Sequence, residues 1–345
     1  MGLLGETKPV KKPILGVSLY PEQETMEEIE NYLTMASHYG FTKIFTSMFS
    51  VPGTKEEVFD YFKNFCDLAH KHGMKVSGDC NTAFFTKMGA SESDISIFKE
   101  MGIDIIRMDL PYFDQRDVTL INNPYNITIE LSSCMIQAVR RALENGANPK
   151  NFSTCHNFYP ERYTASDLES IREVNKELSN LGIPSAVFIS TNEENTHGPW
   201  PVHDGLPTVE DHRWIPAELQ VRHWIAVGDV DEIIFGNAFA SEEEFKAIDQ
   251  VMKEAYVNIP KLEGQDYLAE LLPHGEVERV PFKVVLDDDV TDLEKEILFD
   301  NVYHQCGETP YYMIRSRWTR MFYGKKSIPE RKIAEEYYHR GDVVI

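Results

Sequence analysis

Residues 43–80 read KIFTSMFSVPGTKEEVFDYFKNFCDLAHKHGMKVSGDC and contain one full unit of the pattern that decides the fold. The unit opens with KIFTSMF, a short run of apolar, β-branched and aromatic residues that is typical of a buried strand. Thr54 and Glu57 then form the Ser/Thr-x-x-Asp/Glu signature of a helix start. Gly73 stands where a left-handed residue would end that helix, and KVSGDC predicts the next strand.

The same pattern recurs on both sides of this unit. Further helix-start signatures are Thr25/Glu28, Ser91/Asp94, Thr164/Asp167, Thr208/Asp211 and Ser241/Glu244. Glycines at candidate helix ends are Gly40, Gly102, Gly146, Gly182 and Gly228. The eight predicted strands are 14–20, 43–49, 75–80, 104–110, 126–131, 151–159, 184–190 and 231–237. Eight βα units predict an α/β protein with a (β/α)8 TIM barrel, and a doubly wound open sheet is the structural alternative.

The pattern changes beyond Ala255, where alternating segments and turns replace the helical period. We therefore assign 1–12 to an N-terminal tail, 13–256 to the barrel and 263–345 to a small β-rich domain. Within that domain, 309–332 carries seven basic residues and one acid. This stretch is either an anion-facing surface or a solvated charged hairpin.

Composition and charge exclude several classes of protein. The chain has 345 residues, 42% of them hydrophobic, which is enough for a sizeable core. Its formal charge of −22 disfavours general contact with nucleic acid or anionic membranes. We expect a cytoplasmic protein, because no apolar run suggests a signal peptide or a membrane span. The five cysteines are widely spaced, and we expect reduced thiols.

Polar residues stand where the predicted strands end, which is where TIM barrels carry their chemistry. These residues are Tyr20, Glu22, Asp79, Asp109, Glu130, Asn157, Tyr159 and Asn237. We expect the carboxylates to converge on one mouth. Carboxylates crowded into a partly desolvated cleft have pKa values that separate, which suits general acid/base cleavage of a glycoside.

The fourth strand allows two interpretations. In IIRMDL, Arg107 and Asp109 share the face opposite to the apolar residues and should point into the barrel. They form either a buried ion pair that closes the barrel floor, or a site in which Asp109 is a catalytic carboxylate. The same choice between a structural and a catalytic role applies to Asp79, and Glu22 is either catalytic or a surface residue.

The loop after the seventh strand, 191–213, is long and unusual. Trp200 lies in a Gly-Pro-Trp-Pro turn and is either a stacking surface for a sugar or a packing anchor. The helix start predicted at Thr208 is a habitual phosphate position in such barrels. Candidate donors there are His203, His212 and Arg213. Glu210 and Asp211 lie in the same turn and would repel an anion.

Two further functions remain open. Asp79, Asp109 and Glu130, with His156, have the ligand chemistry of a divalent metal site in a lyase or isomerase. No HxxE, HxH or DxD spacing supports that site. A non-catalytic sugar-phosphate sensor is the other alternative, since Asn237 stands where an acid would serve catalysis. Dinucleotide, P-loop and nucleophile-elbow motifs are absent from the sequence.

Several motifs resemble those of the MupG-type 6-phospho-N-acetylmuramidases. They are SLYPE (18–22), KIFTSMF (43–49), IIRMDL (105–110), HNFYPERYT (156–164), HGPWPVHDGLPTVEDHR (197–213), IPER and RGDVVI (340–345). The resemblance implies a TIM barrel followed by a cyclophilin-like domain that partly covers the mouth. It also implies a cytoplasmic glycosidase of peptidoglycan recycling that needs no cofactor and releases 6-phospho-N-acetylmuramic acid and N-acetylglucosamine. The implied site residues are Glu22, Asp79, Asp109, Asn157, Tyr159, Glu210 and Arg213.

The sequence departs from the family pattern at the predicted mouth. Leu-Ser-Ser-Cys (131–134) replaces an Asn-Ala-Ser element, Cys80 replaces a Pro, Pro111 replaces a Gly, and Asn237 replaces an Asp. These changes suggest a divergent branch with an altered substrate. Relatives continue through a further strand beyond Ile345, so we expect the small domain to lack its last strand.

We therefore predict a hydrolase of a phosphorylated disaccharide, with Asp109 and either Glu22 or Asp79 as its carboxylate pair. The predicted substrate-binding residues are Arg107, Asn157, Tyr159, His203, Thr208, Glu210, Arg213 and Asn237. No metal, cofactor, nucleic acid or membrane partner is expected. The sequence leaves the oligomeric state open, and a homodimer is compatible with it.

Overall fold

The computed structural model describes residues 11–49, 51–199, 204–259, 275–279, 281, 283–301, 304, 315–316, 319–331, 339 and 341–345. The chain divides into two compact units. One unit comprises Lys11–Ala255 and Arg279–Pro281, and the other comprises the remaining residues.

The larger unit is a closed barrel of eight parallel strands in sequential order, with the eighth strand paired to the first. The strands are β1 Ile14–Leu19, β2 Lys43–Ser47, β3 Lys75–Cys80, β4 Ile105–Met108, β5 Thr128–Ser132, β6 Phe152–Cys155, β7 Ser185–Ile189 and β8 Glu232–Phe235. The predicted TIM barrel is confirmed, and seven of the eight predicted runs contain their strand, whereas β5 extends one residue beyond the run 126–131.

Helices follow the strands and form the outer layer of the barrel. They are α1 Met26–His38, α2 Lys55–Lys71, α3 Thr82–Met88, α4 Ser96–Met101, α5 Gln115–Ile121, α6 Ile136–Glu144, α7 Leu168–Leu181, α8 Ala217–Val227 and α9 Glu242–Ala255. Both α3 and α4 lie between β3 and β4. One-turn 3-10 helices occupy Pro21–Gln23, Ser133–Met135, Pro149–Asn151 and Glu210–His212.

The barrel interior holds an ionic group at one end and an apolar cluster above it. Lys43, the first residue of β2, is 2% exposed and bonds Glu130 and Glu232. The aromatic rings of Phe45 and Phe188 lie in the apolar cluster, with centroids 5.2 Å apart. The expectation that Glu130 lies at the mouth was wrong, because its carboxylate is fully buried against Lys43.

The smaller unit contains two antiparallel strands, β9 Tyr256–Ile259 and β10 Gly275–Glu278. Its described part also has short helices at Asp292–Lys295 and Thr319–Tyr323, and a π-helical turn at Glu296–Asp300. These helical turns were not predicted from the alternating pattern. β9 begins at Tyr256, directly after α9.

Part of the basic stretch is neutralised within the smaller unit. Arg331 pairs with Asp289 and Glu294, and Lys326 pairs with Glu296. Across both units, the described residues contain no helix that is long and apolar enough to cross a membrane.

Candidate active site

Three of the predicted site residues meet at the carboxyl ends of the strands. Arg107 lies opposite Asp79 in the β3–β4 register. Its Nη1 donates to Asp79 Oδ1 at 2.7 Å, and its Nη2 donates to Asn157 Oδ1 at 2.6 Å. Ser132 Oγ donates to the same Asn157 oxygen at 3.2 Å. The guanidinium also lies 5.9 Å from the ring centroid of Phe45, so it faces into the barrel as the alternation of β4 predicts.

Asp79 is nearly buried, and its two carboxylate oxygens have different surroundings. Oδ1 accepts the hydrogen bond from Arg107, whereas Oδ2 receives none from the described residues. Burial raises the pKa of Asp79, Arg107 opposes that shift, and the nearby charges of Asp109 and Glu130 raise the pKa further. When Asp79 is protonated, Oδ2 is the oxygen that can carry the proton, because Oδ1 is engaged by the guanidinium.

Asp109 is exposed, one residue beyond β4. Its backbone N–H donates to the carbonyl of Cys80 at 2.9 Å, which extends the β3–β4 pairing to this position. The proposed ion pair of Arg107 with Asp109 at the barrel floor was wrong, because Arg107 bonds Asp79 at the opposite end of the strands. The side chain of Asp109 thus lies at the mouth, beside a buried carboxyl whose pKa it raises.

The turn after β1 carries one exposed acid and one buried acid. Glu22 is exposed on the 3-10 turn Pro21–Gln23. The side chain of Glu24 is only 1% exposed, and its Oε1 accepts from the backbone N–H of Tyr20 at 3.1 Å and lies 3.0 Å from His197 Nε2. The buried carboxylate at this turn was missed, since nothing in the motif SLYPEQE shows which acid turns inward.

Glu24 and His197 join the loops that follow β1 and β7. The hydrogen bond from His197 to Glu24 is the main cause of a raised His197 pKa, which burial partly opposes. Beside this pair, Gln23 Nε2 donates to the carbonyl of Gly198 at 2.7 Å. Ala238, after β8, donates its N–H to the carbonyl of His197. The hydrogen bond between His197 and Glu24 thus joins the loop after β7 to the loop after β1 at the mouth.

Thr208 does not begin a helix, so that prediction was wrong. Its side chain is buried, donates to the carbonyl of Asn157 at 3.0 Å and accepts from the backbone N–H of Phe188 at 2.8 Å. The next helical segment is the single turn Glu210–His212, and α8 begins at Ala217. The structural basis for a phosphate position at Thr208 is therefore missing.

Glu210 and Arg213 form a bidentate ion pair. Arg213 Nε and Nη2 donate to the two Glu210 oxygens at 2.7 and 2.8 Å, and Nη1 donates to the carbonyls of Tyr159 and Asp204. Glu210 also accepts the backbone N–H of Tyr163 at 2.8 Å. The hydrogen bond from Arg213 is the largest cause of a Glu210 pKa of about 2. Both groups are engaged in holding the loop after β6.

Asn237 is fully buried and joins the loops after β7 and β8. Its Oδ1 accepts from the backbone N–H of Thr191, and its Nδ2 donates to the Thr191 carbonyl and to Thr196 Oγ1. An amide supplies both the donor and the acceptor that this position uses, which explains an Asn here without reference to catalysis. The remaining predicted residue, His203, lies outside the described residues, as does Trp200.

His156 points away from the mouth. Its Nε2 lies 2.7 Å from Asn175 Oδ1 on α7, whereas the preceding Cys155 faces the barrel interior. Burial lowers the pKa of His156 to about 4. His156 therefore does not join Asp79 and Asp109 as a ligand set, and the described residues contain no group of three or more His, Cys, Asp or Glu arranged to hold a metal ion.

Family models cover most of the chain. The model of the N-terminal part of 6-phospho-N-acetylmuramidase matches 15–250, and that of the C-terminal part matches 280–345. The chain belongs to the 6-phospho-N-acetylmuramidase family. It is thus a glycosidase of this family, and the Asp79–Arg107–Asn157 group lies within the N-terminal match.

Two solved structures share the architecture of this chain. The crystal structure of an uncharacterized B. cereus protein is 31% identical, with a TM-score of 0.76, and the match covers 93% of this 6-phospho-N-acetylmuramidase family member and 82% of that protein. A conserved protein of unknown function from Enterococcus faecalis shares the fold at 22% identity and a TM-score of 0.61, over 73% of this chain and 70% of that one. No curated protein matches the chain significantly.

Proposed function

We propose that this glycosidase cleaves the glycosidic bond of 6-phospho-N-acetylmuramyl-N-acetylglucosamine, with Asp79 as general acid and Asp109 as the second carboxylate. The family match supports the substrate class. The observation that carries the residue assignment is the contrast between a buried, Arg-bonded carboxyl and an exposed carboxylate beside it.

The contrast suits the two roles that glycoside cleavage needs. Asp79 keeps its proton to higher pH because it is buried, and its Oδ2 is free to donate that proton to the leaving oxygen. Asp109, in solvent, is the carboxylate that attacks the sugar carbon or accepts a proton from the attacking water. Arg107 holds Asp79 through Oδ1, and Asn157 in turn holds the guanidinium of Arg107.

The Asp109→Asn variant tests the second carboxylate. Removing the charge while keeping the shape should lower kcat by about 10²- to 10⁴-fold on the phosphorylated disaccharide. Asp114→Asn is the matched control, because Asp114 is another exposed acid in the same β4–α5 loop and Asn serves equally well as a helix cap. Near-normal turnover by Asp109→Asn would remove Asp109 from the mechanism.

The Asp79→Asn variant tests the acid by its dependence on the leaving group. A 4-nitrophenyl glycoside of 6-phospho-N-acetylmuramic acid releases a phenolate that needs little protonation. The kcat/KM of Asp79→Asn, which reports cleavage of the glycosidic bond, should therefore be low on the disaccharide and close to the parent value on the nitrophenyl substrate. An equal loss of kcat/KM on both substrates would assign Asp79 to structure alone.

The stereochemistry of the first product distinguishes the two ways in which Asp109 can act. Proton NMR during early turnover reports the anomeric configuration of the released phosphosugar. Retention means that Asp109 attacks the sugar carbon, and inversion means that it activates water. We also propose that the enzyme works in the cytoplasm, since a phosphorylated sugar does not cross a membrane unaided, and that it serves the recycling of peptidoglycan fragments.

A further inference from the structure

Exposed apolar side chains of the barrel unit concentrate on the loops that follow the strands. Among its described residues, the large hydrophobic side chains of this kind are Phe49, Leu110, Phe113, Tyr163 and Trp214. Ile14 and Leu181 are also exposed, but Ile14 is the first residue of β1 and Leu181 ends α7, before β7. The apolar exposure is thus biased toward the face that carries Asp79 and Asp109, and exposed apolar surface around a site indicates ligand contact.

Three aromatic residues of this set share an exposed side chain and a left-handed backbone, which bulky residues rarely adopt. Tyr163 is 85% exposed with φ of 67°, and Trp214 is 51% exposed with φ of 63°. Phe113, in the loop after β4, is the third, with φ of 60°. Neither burial nor backbone preference accounts for an aromatic residue at these positions, and residues held in such conformations cluster at ligand-binding sites.

One bidentate ion pair supports the backbone at both Tyr163 and Trp214. Glu210 accepts the backbone N–H of Tyr163, and its partner Arg213 directly precedes Trp214. Arg213 in turn donates to the carbonyl of Tyr159. The two side chains are therefore mounted on a common rigid support and are preorganised for binding.

The two arginines near these two aromatic residues are both paired with acids. The Arg162 guanidinium lies 4.9 Å from the centroid of the Trp214 ring and bonds Asp204 at 2.9 Å. Arg213 is paired with Glu210. An aromatic surface whose arginines are already paired fits an uncharged ring better than a phosphorylated one.

The aromatic pair is connected to the candidate active site through the loop after β6. Asn157, which accepts from Arg107, lies two residues before Tyr159, whose carbonyl accepts from Arg213. The support of the Tyr163–Trp214 surface is thus linked to the Asp79–Arg107–Asn157 group.

We propose that Tyr163 and Trp214 form a stacking subsite for an uncharged pyranose ring of the substrate. Pyranoses present an apolar C–H face that packs on aromatic rings, and Tyr and Trp supply large, rigid contact area. The assignment of this ring to the unphosphorylated sugar, which leaves, rests on the proposed function. Stacking holds that sugar while Asp79 protonates the oxygen that links it.

The experiment measures binding separately from turnover. In the Asp109→Asn background, binding of N-acetylglucosamine and of the intact disaccharide is followed by titration calorimetry. Adding Trp214→Ala should weaken both affinities about tenfold, Tyr163→Ala should weaken them less, and Trp214→Phe should restore most of the affinity. Leu181→Ala, an exposed apolar residue at the other end of β7, is the matched control and should change neither affinity.

Kinetics of the otherwise unaltered enzyme give the second readout. Trp214→Ala should raise KM about tenfold with kcat within about twofold of the parent value. If the parent binds no N-acetylglucosamine, or if Trp214→Ala binds it within twofold of the parent, the subsite assignment is overturned. A different result is that the parent protein binds N-acetylglucosamine, loses that binding in Trp214→Ala, and yet cleaves neither the disaccharide nor the 4-nitrophenyl glycoside. That result would support the subsite and reject the proposed hydrolysis.

Discussion

Arg107 lowers the pKa of Asp79 through its positive charge and through a hydrogen bond of 2.7 Å. The guanidinium lowers the pKa of a carboxyl that burial raises, so the two effects oppose each other within one side-chain pair. Arg107 Nη2 simultaneously fixes Asn157, and the aromatic ring of Phe45 lies near the guanidinium. The Arg107–Asp79 ion pair could be predicted from the sequence only in part. Strand alternation predicts that Arg107 points into the barrel, but it does not show which aspartate pairs with it.

Replacing Arg107 should change the pH profile of the enzyme as well as its rate. In Arg107→Met the cation is gone, so the pKa of Asp79 rises further and the alkaline limb of kcat/KM moves to higher pH. The rate should fall about 10²-fold, because Asp79 and Asn157 lose their common donor. Arg107→Lys keeps the charge and should keep the position of the limb. An unmoved limb in Arg107→Met would show that Asp79 is not the titrating acid.

His156 makes folding stability sensitive to acid. Its pKa is about 4 in the folded protein because burial disfavours the charged ring, against about 6.5 in an unfolded chain. The unfolded state therefore binds more protons between these values, and stability falls as pH falls through this window. Between pH 7 and pH 5 the parent should therefore lose about 2 kcal/mol more of its free energy of unfolding than His156→Gln loses, measured by urea unfolding. His38→Gln, at an exposed position on α1, is the control, and equal pH slopes in parent and His156→Gln would contradict the assignment.

Among the elements, the strands and some helix starts were predictable, whereas other starts were not. Thr25 and Thr54 cap α1 and α2 through both hydrogen bonds of the predicted box. At α7 the cap is Asp167 rather than Thr164, whose hydroxyl bonds the Glu161 carbonyl instead. The motif is the same in each case, and tertiary partners decide whether the hydroxyl turns to a helix or to a loop.

The pairing of two loops through Glu24 and His197 should depend on pH. The acids that face His197 are Glu24 from the β1 loop and Glu28 from α1, and the Phe239 ring packs on it from the β8 side. The pKa of His197 is higher in the folded protein than in the unfolded chain. The charged pair therefore stabilises the loops fully at pH values below the unfolded pKa, and this stabilisation is lost as pH rises through the folded pKa.

Hydrogen exchange measures this loss directly. After correction for intrinsic rates, protection at Ala238, whose N–H bonds the His197 carbonyl, should decrease as pH rises above the His197 pKa. In Glu24→Gln the protection should be low at every pH, whereas Glu27→Gln, on the exposed face of α1, should behave as the parent. Protection in the parent that does not change with pH would show that the charge on His197 does not hold the loops.

At the scale of the molecule, an acidic chain buries a positive charge in the interior of its barrel. The chain carries a formal charge of −22, yet Lys43 lies inside the barrel between Glu130 and Glu232. Lys43 joins strands β2, β5 and β8 across the closed sheet. The pattern of eight βα units predicts the closed barrel, but the pairing across its interior depends on strand stagger, which no local sequence feature reports.

Replacing Lys43 should therefore destabilise the whole barrel. Lys43→Met leaves Glu130, which is fully buried, close to Glu232 with no cation, and breaking a buried ion pair in this way costs about 3–5 kcal/mol. Lys75→Met is the matched control, since Lys75 pairs in register with Lys43 but is exposed. Urea unfolding at pH 7.5 measures this loss, and a Lys43→Met variant as stable as Lys75→Met would show that the interior ion group does not hold the strands together.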